Sequence, residues 1–186
     1  MGLHLTGDRE SDAVLEEHPF ALLTGMLLDQ QFPMERAFAG PAKVLERFGS
    51  LDPSEIAAAE PEQFAALCST PPAVHRFPGS MAARIQALAA HVVSEYDGRT
   101  EALWTGASSG RDLFSRVLAL PGFGKQKAQI FIALLGKQLG VRPDGWADVA
   151  GAYAEAGSYR SVADVVDARS LQKVRAFKKE AKAAAR

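Results

Sequence analysis

Leu120-Pro121-Gly122-Phe123-Gly124-Lys125 decides how this chain is read. Pro121 fixes its own φ, and Gly122 and Gly124 allow positive φ and close backbone approach. Apolar helical patterns flank the stretch, Arg111 to Ala119 before it and Lys125 to Leu139 after it. The pattern predicts a tight turn between two helices. The second helix starts at the tip, so its first N–H groups lack intrahelical partners and its dipole faces outward. A phosphate oxygen suits such a tip. Lys125 and Lys127 add positive charge there, and the turn carbonyls offer a place for Na+ or K+ bridging to the phosphate. A plain helix–helix connection uses glycines in the same way; Leu-Pro before the turn and Lys after it favour the phosphate grip.

The rest of the chain also reads as helix. Phe20, Leu23, Leu27 and Gln31 recur at spacings of three and four, which predicts a buried helix from Pro19 to Gln31. A helix opened by Pro33 runs through Arg47 and stops at Phe48-Gly49. Asp52-Pro53-Ser54-Glu55 places a capping Asp, a first-turn Pro and a Glu at a helix start. Further helices are predicted from Pro61, over Ser80 to Tyr96, over Trp146 to Ala156 and from Leu171 onward, with a short piece at Val162–Val166 and a loop from Trp104 to Gly110. Alternating strand patterns are absent. The fold class expected is all-α.

Charge is unevenly spread. Residues 1–120 carry 9 Lys+Arg against 16 Asp+Glu, and residues 121–186 carry 12 against 6. A net charge of −1 therefore hides a basic C-terminal third. Lys178, Lys179, Lys182 and Arg186 read either as a solvated helical tail or as contacts to a polyanion. The single cysteine, Cys68, excludes an internal disulfide and any iron–sulfur cluster or multi-Cys zinc site built by this chain alone. It reads as a small buried residue. His4, His18 and His91 show no ligand spacing, so no metal is expected. His75, within Pro71-Pro72-Ala73-Val74-His75-Arg76-Phe77-Pro78, reads as a surface-loop histidine beside the site. No apolar run is long enough to span a membrane. Met1 to Glu10 hold no signal pattern, so a cytoplasmic monomer is the expectation.

Leu120 to Asp144 resembles the helix-hairpin-helix DNA glycosylases of the endonuclease III superfamily, HhH-GPD. That family carries Leu-Pro-Gly-Val-Gly, an alanine, an apolar helix and then a catalytic aspartate. Here Ala128 and Asp144 stand at the matching positions. Ala21 to Gln31 is similar to the family's apolar helix ending in Leu-Leu-Ser-x-Gln, and Arg47-Phe48-Gly49 to its Arg-Phe-Gly. Residues 18–148 carry the resemblance. It implies a two-lobed fold, with 20–136 as one helical lobe and 1–19 with 137–186 as the other. It also implies a double-stranded DNA partner containing a damaged or mismatched base, bound through Gly122, Phe123, Gly124, Lys125 and Lys127, with Gln31 filling the gap left by a flipped base.

Two departures shape the expected chemistry. Gln126 occupies the position of the nucleophilic lysine of bifunctional members, and the four-cysteine cluster is absent. Lys125 and Lys127 are each displaced by about 100° around the helix. The implied activity is that of a monofunctional DNA N-glycosylase, without lysine-dependent lyase action, in which Asp144 stabilises positive charge on the sugar and directs a water. After Pro143 and before Gly145-Trp146, Asp144 reads equally as a helix N-cap. Gln30, Phe32 and Trp146 are candidates for a base pocket, although each also has an ordinary structural reading. A non-catalytic helix-hairpin-helix DNA-binding protein is the principal alternative, and a protein-interaction domain a third. Sodium borohydride is expected to trap no covalent complex with abasic DNA; trapped adduct on a denaturing gel refutes that.

Overall fold

Side-chain caps set the starts of five helices in the computed structural model, which describes residues 2–186. The elements are α1 (Arg9–Glu17), α2 (Pro19–Leu28), α3 (Met34–Phe48), α4 (Pro53–Ala58), α5 (Pro61–Ser69), α6 (Pro78–Tyr96), α7 (Ala102–Thr105), α8 (Gly110–Leu118), α9 (Lys125–Gln138), α10 (Trp146–Ala150) and α11 (Ala168–Ala184). Short 3-10 turns lie at Gly151–Ala154 and Val162–Asp164, and no strand occurs among the described residues. The all-α class holds. Asp8, Asp52, Glu60, Ser109 and Asp167 each accept a first-turn N–H, as capping residues do. Each such cap contributes about 1 kcal/mol.

Several boundaries differ from the sequence expectation, each for a local reason. The helix expected to reach Gln31 ends at Leu28. Gln30 folds its amide back onto the Leu27 carbonyl at 2.8 Å, and Gln31 adopts φ 52. The segment expected to stay helical from Trp146 to Ala156 leaves the α conformation at Gly151, whose φ is 62. The last helix starts at Ala168 rather than Leu171 because Asp167 and Ser170 cap each other's backbone. The expected loop at 104–110 contains the end of α7.

One apolar core runs through the molecule. Phe20, Phe38, Phe64 and Phe131 are buried within it, and each contributes about 2–3 kcal/mol by leaving water. α2 packs on α3, α4 and α5 on α6, and α1 on α2 and α3; α9 packs on α8, α10 and the 162–164 turn. α1, from the expected 1–19 and 137–186 lobe, packs against α2 and α3 of the expected 20–136 lobe. No helix among the described residues is long and apolar enough to cross a membrane.

α2 and α9 run in opposite directions. Leu22 of α2 and Leu139 after α9 line the same small hollow, while the Lys127 amine at the start of α9 reaches the carbonyls of Met26 and Leu27. The end of α2 is thereby placed against the start of α9. Gly25 lets α2 approach α3, since a Cβ there would sit 2.4 Å from the Phe38 ring. Gly25→Ala is expected to cost about 1–3 kcal/mol by overpacking, read as a lowered midpoint in urea unfolding. An unchanged midpoint contradicts this account of the α2–α3 contact.

Candidate nucleic-acid interface

The hairpin forms as the sequence predicts. α8 ends at Leu118, Phe123 N–H donates to the Leu120 carbonyl at 3.1 Å, and α9 begins at Lys125. Gly122 has φ 84, and a Cβ there would lie 2.7 Å from Leu27 Cδ1. This glycine is required both by its turn and by the end of α2 beneath it. Gly124 differs. Its φ of −88 suits any residue, and a Cβ there would meet nothing within 4 Å. What Gly124 leaves is open space in front of the first turn of α9. That turn has no side-chain cap, so its leading N–H groups face solvent.

The side chains at the hairpin divide in two. Lys125 and Gln126 are exposed. Phe123, expected among the DNA contacts, is only 5% exposed and meets Phe131 edge-on, with ring centroids 6.4 Å apart. It anchors the turn to the core. Lys127, also expected on phosphate, points inward. Its amine donates to the Met26, Leu27 and Asp29 carbonyls at the end of α2. Burial pushes its pKa down to about 8, while Asp29 pulls the other way.

Beside the hairpin opens a cleft of about 1100 Å³. Its floor and near wall are Asp29, Gln30, Gln31, Phe32, Gln126 and Ile130; its far wall comes from Tyr153, Arg160, Phe177, Lys178 and Lys182. Gln31, Gln30, Phe32 and Gln126, four of the residues singled out from sequence, are thus brought together. Gln126 donates to the Tyr153 hydroxyl at 2.9 Å. The far wall is tied to the near one by Lys178 and Asp29 at 3.5 Å and by Arg175 and Glu35 at 3.4 Å. Both pairs have a partly exposed partner and contribute less than about 1 kcal/mol each. Arg160 lies over the Phe177 ring at 5.9 Å, and its buried Nε has no hydrogen-bond partner among the described residues.

Asp144 and Trp146 lie elsewhere. Asp144 is in the loop after α9, with the whole length of that 14-residue helix, about 20 Å at 1.5 Å per residue, between it and the hairpin. It is exposed, and its carbonyl accepts the Gly110 N–H at 2.7 Å. The residue preceding α10 is Gly145, with no side-chain cap, so Asp144 does not cap that helix either. The spacing of 24 positions matched the expected pattern, but α9 remains helical to Gln138 and carries the acid away from the cleft. Trp146 packs its indole on Gly136, where a Cβ would lie 2.4 Å from the ring, and beneath Arg142 at 5.4 Å. Asp29 is the one carboxylate among the described residues lining the cleft.

Arg76, Tyr153, Arg160, Phe177 and Asp29 were not singled out from the sequence as cleft residues. They come from five separate segments, and no spacing links them. The basic residues of α11 were the one available signal. His75, expected at the surface, is 1% exposed and sits beneath the Gln30–Phe32 turn. Cys68 is buried, which pushes its thiol up to about 11 and leaves it unreactive. Among the described residues no group of His, Cys, Asp and Glu is arranged to hold a metal ion.

An all-α fold, a glycine-built hairpin with an uncapped helix N-terminus, and an adjoining cationic cleft together define a class of helix-hairpin-helix proteins that act on nucleic acid. The family described as HhH-GPD superfamily base excision DNA repair protein matches residues 24–186, and the chain belongs to that superfamily. Its members act on DNA in base excision repair. No curated protein and no solved structure matches the chain significantly.

The two hairpin lysines should separate experimentally. Lys127→Met removes the charged donor to the Met26, Leu27 and Asp29 carbonyls and is expected to cost about 1–3 kcal/mol, seen as a lower thermal midpoint. Lys125→Ala, at an exposed site, is expected to stay within about 0.5 kcal/mol of wild type. Equal losses for the two would contradict the inward role of Lys127.

Proposed function

We propose that the protein recognises a damaged or mismatched base in duplex DNA, acting as a cytoplasmic monomer in base excision repair. The hairpin tip, Gly122 to Lys125, holds a backbone phosphate, with Na+ or K+ at the turn carbonyls sharing the charge. Gln31 enters the gap in the stack. The displaced base rests in the cleft against Phe32, Gln30 and Gln126. Lys178, Lys179 and Lys182 contact flanking phosphates. The observation that carries this reading is the shared cleft: Gln31 and Gln126 line one opening directly beside the hairpin, with cations on the opposite wall.

Asp144, about 20 Å of helix away, takes no part in this proposal, and recognition without turnover is the reading favoured. A second reading, hydrolytic release of the base, is favoured by a single observation: Asp29 lies in the cleft with its side chain 12% exposed. A carboxylate there can stabilise an oxocarbenium-like sugar and orient a water. Neither reading uses a lysine nucleophile, because Gln126 stands at that position.

Excision assays over a panel of lesion-bearing duplexes separate the readings. Tight binding to an abasic-site analogue without release of any base supports recognition alone. Release that survives Asp144→Asn and disappears in Asp29→Asn supports the hydrolytic reading. Release abolished by Asp144→Asn overturns both. Gly124→Ala, which places a methyl in the phosphate space, is expected to weaken DNA binding about tenfold or more at an unchanged thermal midpoint. Replacing Lys179 and Lys182 together by Ala is expected to flatten the dependence of log Kd on log salt by about 1.8, the value for two lost phosphate contacts. An unaltered slope removes α11 from the interface.

A further inference from the structure

Gln31 and Asp97 are the only non-glycine residues with positive φ among the described residues, at 52 and 55. Asp97 ends α6, and an aspartate is at ease in that conformation. Gln31 follows a helix end in open loop, is exposed, and has no comparable local excuse. A strained conformation of this kind persists only where its surroundings hold it. The residue before it is held twice. The Gln30 side chain donates to the Leu27 carbonyl, and the Gln30 carbonyl is 2.8 Å from Nε2 of His75.

His75 is 45 positions away in sequence and almost wholly buried. Its other ring nitrogen, Nδ1, accepts the Phe77 N–H at 2.9 Å. That bond defines the tautomer: Nδ1 carries the lone pair, so the proton is on Nε2 and is donated to Gln30. Phe32 covers the ring at 4.8 Å between centroids. The segment carrying His75 is itself braced from α3, where Arg47 donates to the Leu67 and Pro72 carbonyls at 2.8 and 2.7 Å. A chain of fixed contacts thus runs from α3 through Arg47 and His75 to the residue preceding Gln31.

We propose that His75 is a positioning residue, which as the neutral Nε2–H tautomer holds the Gln30–Phe32 turn so that Gln31 projects in its strained conformation into the DNA site. The inference rests on the assignment of Gln31 as the group that enters the stack. An amide donor at the Nε2 position is the essential feature. Glutamine at 75 can supply it, whereas asparagine reaches only as far as Nδ1 and retains only the link to Phe77.

The test compares the full chain with His75→Ala, His75→Asn, His75→Gln and Gln31→Ala. The readout is the ratio of Kd for an undamaged duplex to Kd for the same duplex carrying a tetrahydrofuran abasic-site analogue. His75→Ala and His75→Asn are expected to lower this ratio about tenfold, the effect of one oriented hydrogen bond, with binding to undamaged DNA unchanged. His75→Gln is expected to restore most of it. If Gln31→Ala lowers the ratio and the His75 variants leave it alone, the positioning role is refuted and the DNA reading stands. If the wild-type chain shows no preference for the analogue, both fail. Nitrogen-15 shifts of the wild-type imidazole supply a measurement independent of the variants' folding: a proton on Nε2 supports the inference, and one on Nδ1 overturns it.

Discussion

The inward-pointing amine of Lys127 joins the hairpin to the end of α2. It lies in the first turn of α9 and donates to the carbonyls that end α2. The free carbonyl end of a helix carries partial negative charge, and a cation there satisfies both the hydrogen bonds and the dipole. The burial that lowers the pKa of this amine also keeps water away from the contact. Because α2 leads directly into Gln30–Phe32, and α9 begins at the hairpin, the distance between the Gln31 turn and the hairpin is set here. Leu27 beneath Gly122 seals the same junction.

The surrounding elements brace that junction. α3 supports the Pro71–Pro78 segment through Arg47, and His75 passes the support to the turn after α2. α11 crosses from the opposite side, and its ion pairs to Asp29 and Glu35 leave most of its cations free. The near wall of the cleft is therefore the Asp29–Pro33 turn and the first turns of α9. The other wall is held to it by two weak pairs.

Sequence reading recovered local features and lost distant ones. Asp52, Gly49 and the positive φ of Gly122 are local, so their roles were legible from residues a few positions apart. Phe123 and Lys127 stood in the right turn, but their side chains face inward. That direction depends on what lies behind the turn, namely Phe131 and the end of α2. Asp144 is the sharpest case. Its count from Leu120 matched a known pattern, but the path between was not settled by counting. α9 persists as helix through Gln138, and a straight helix moves a side chain far from its starting point.

The amino-acid sequence by itself determined the all-α class and the tight turn at Leu120–Lys125, because each follows from short-range sterics and hydrogen bonding. It also determined that no lysine stands at position 126 and that one cysteine builds no cluster. Only the tertiary structure decided which residues share the cleft. Gln31, Gln126, Tyr153, Arg160 and Lys178 meet there because α2, α9 and α11 pack about one core. The same packing turned His75 inward and placed Asp29, but not Asp144, in the lining of the cleft. Such meetings depend on helix directions in space, which are set by the burial of whole apolar faces and not by any neighbouring residue.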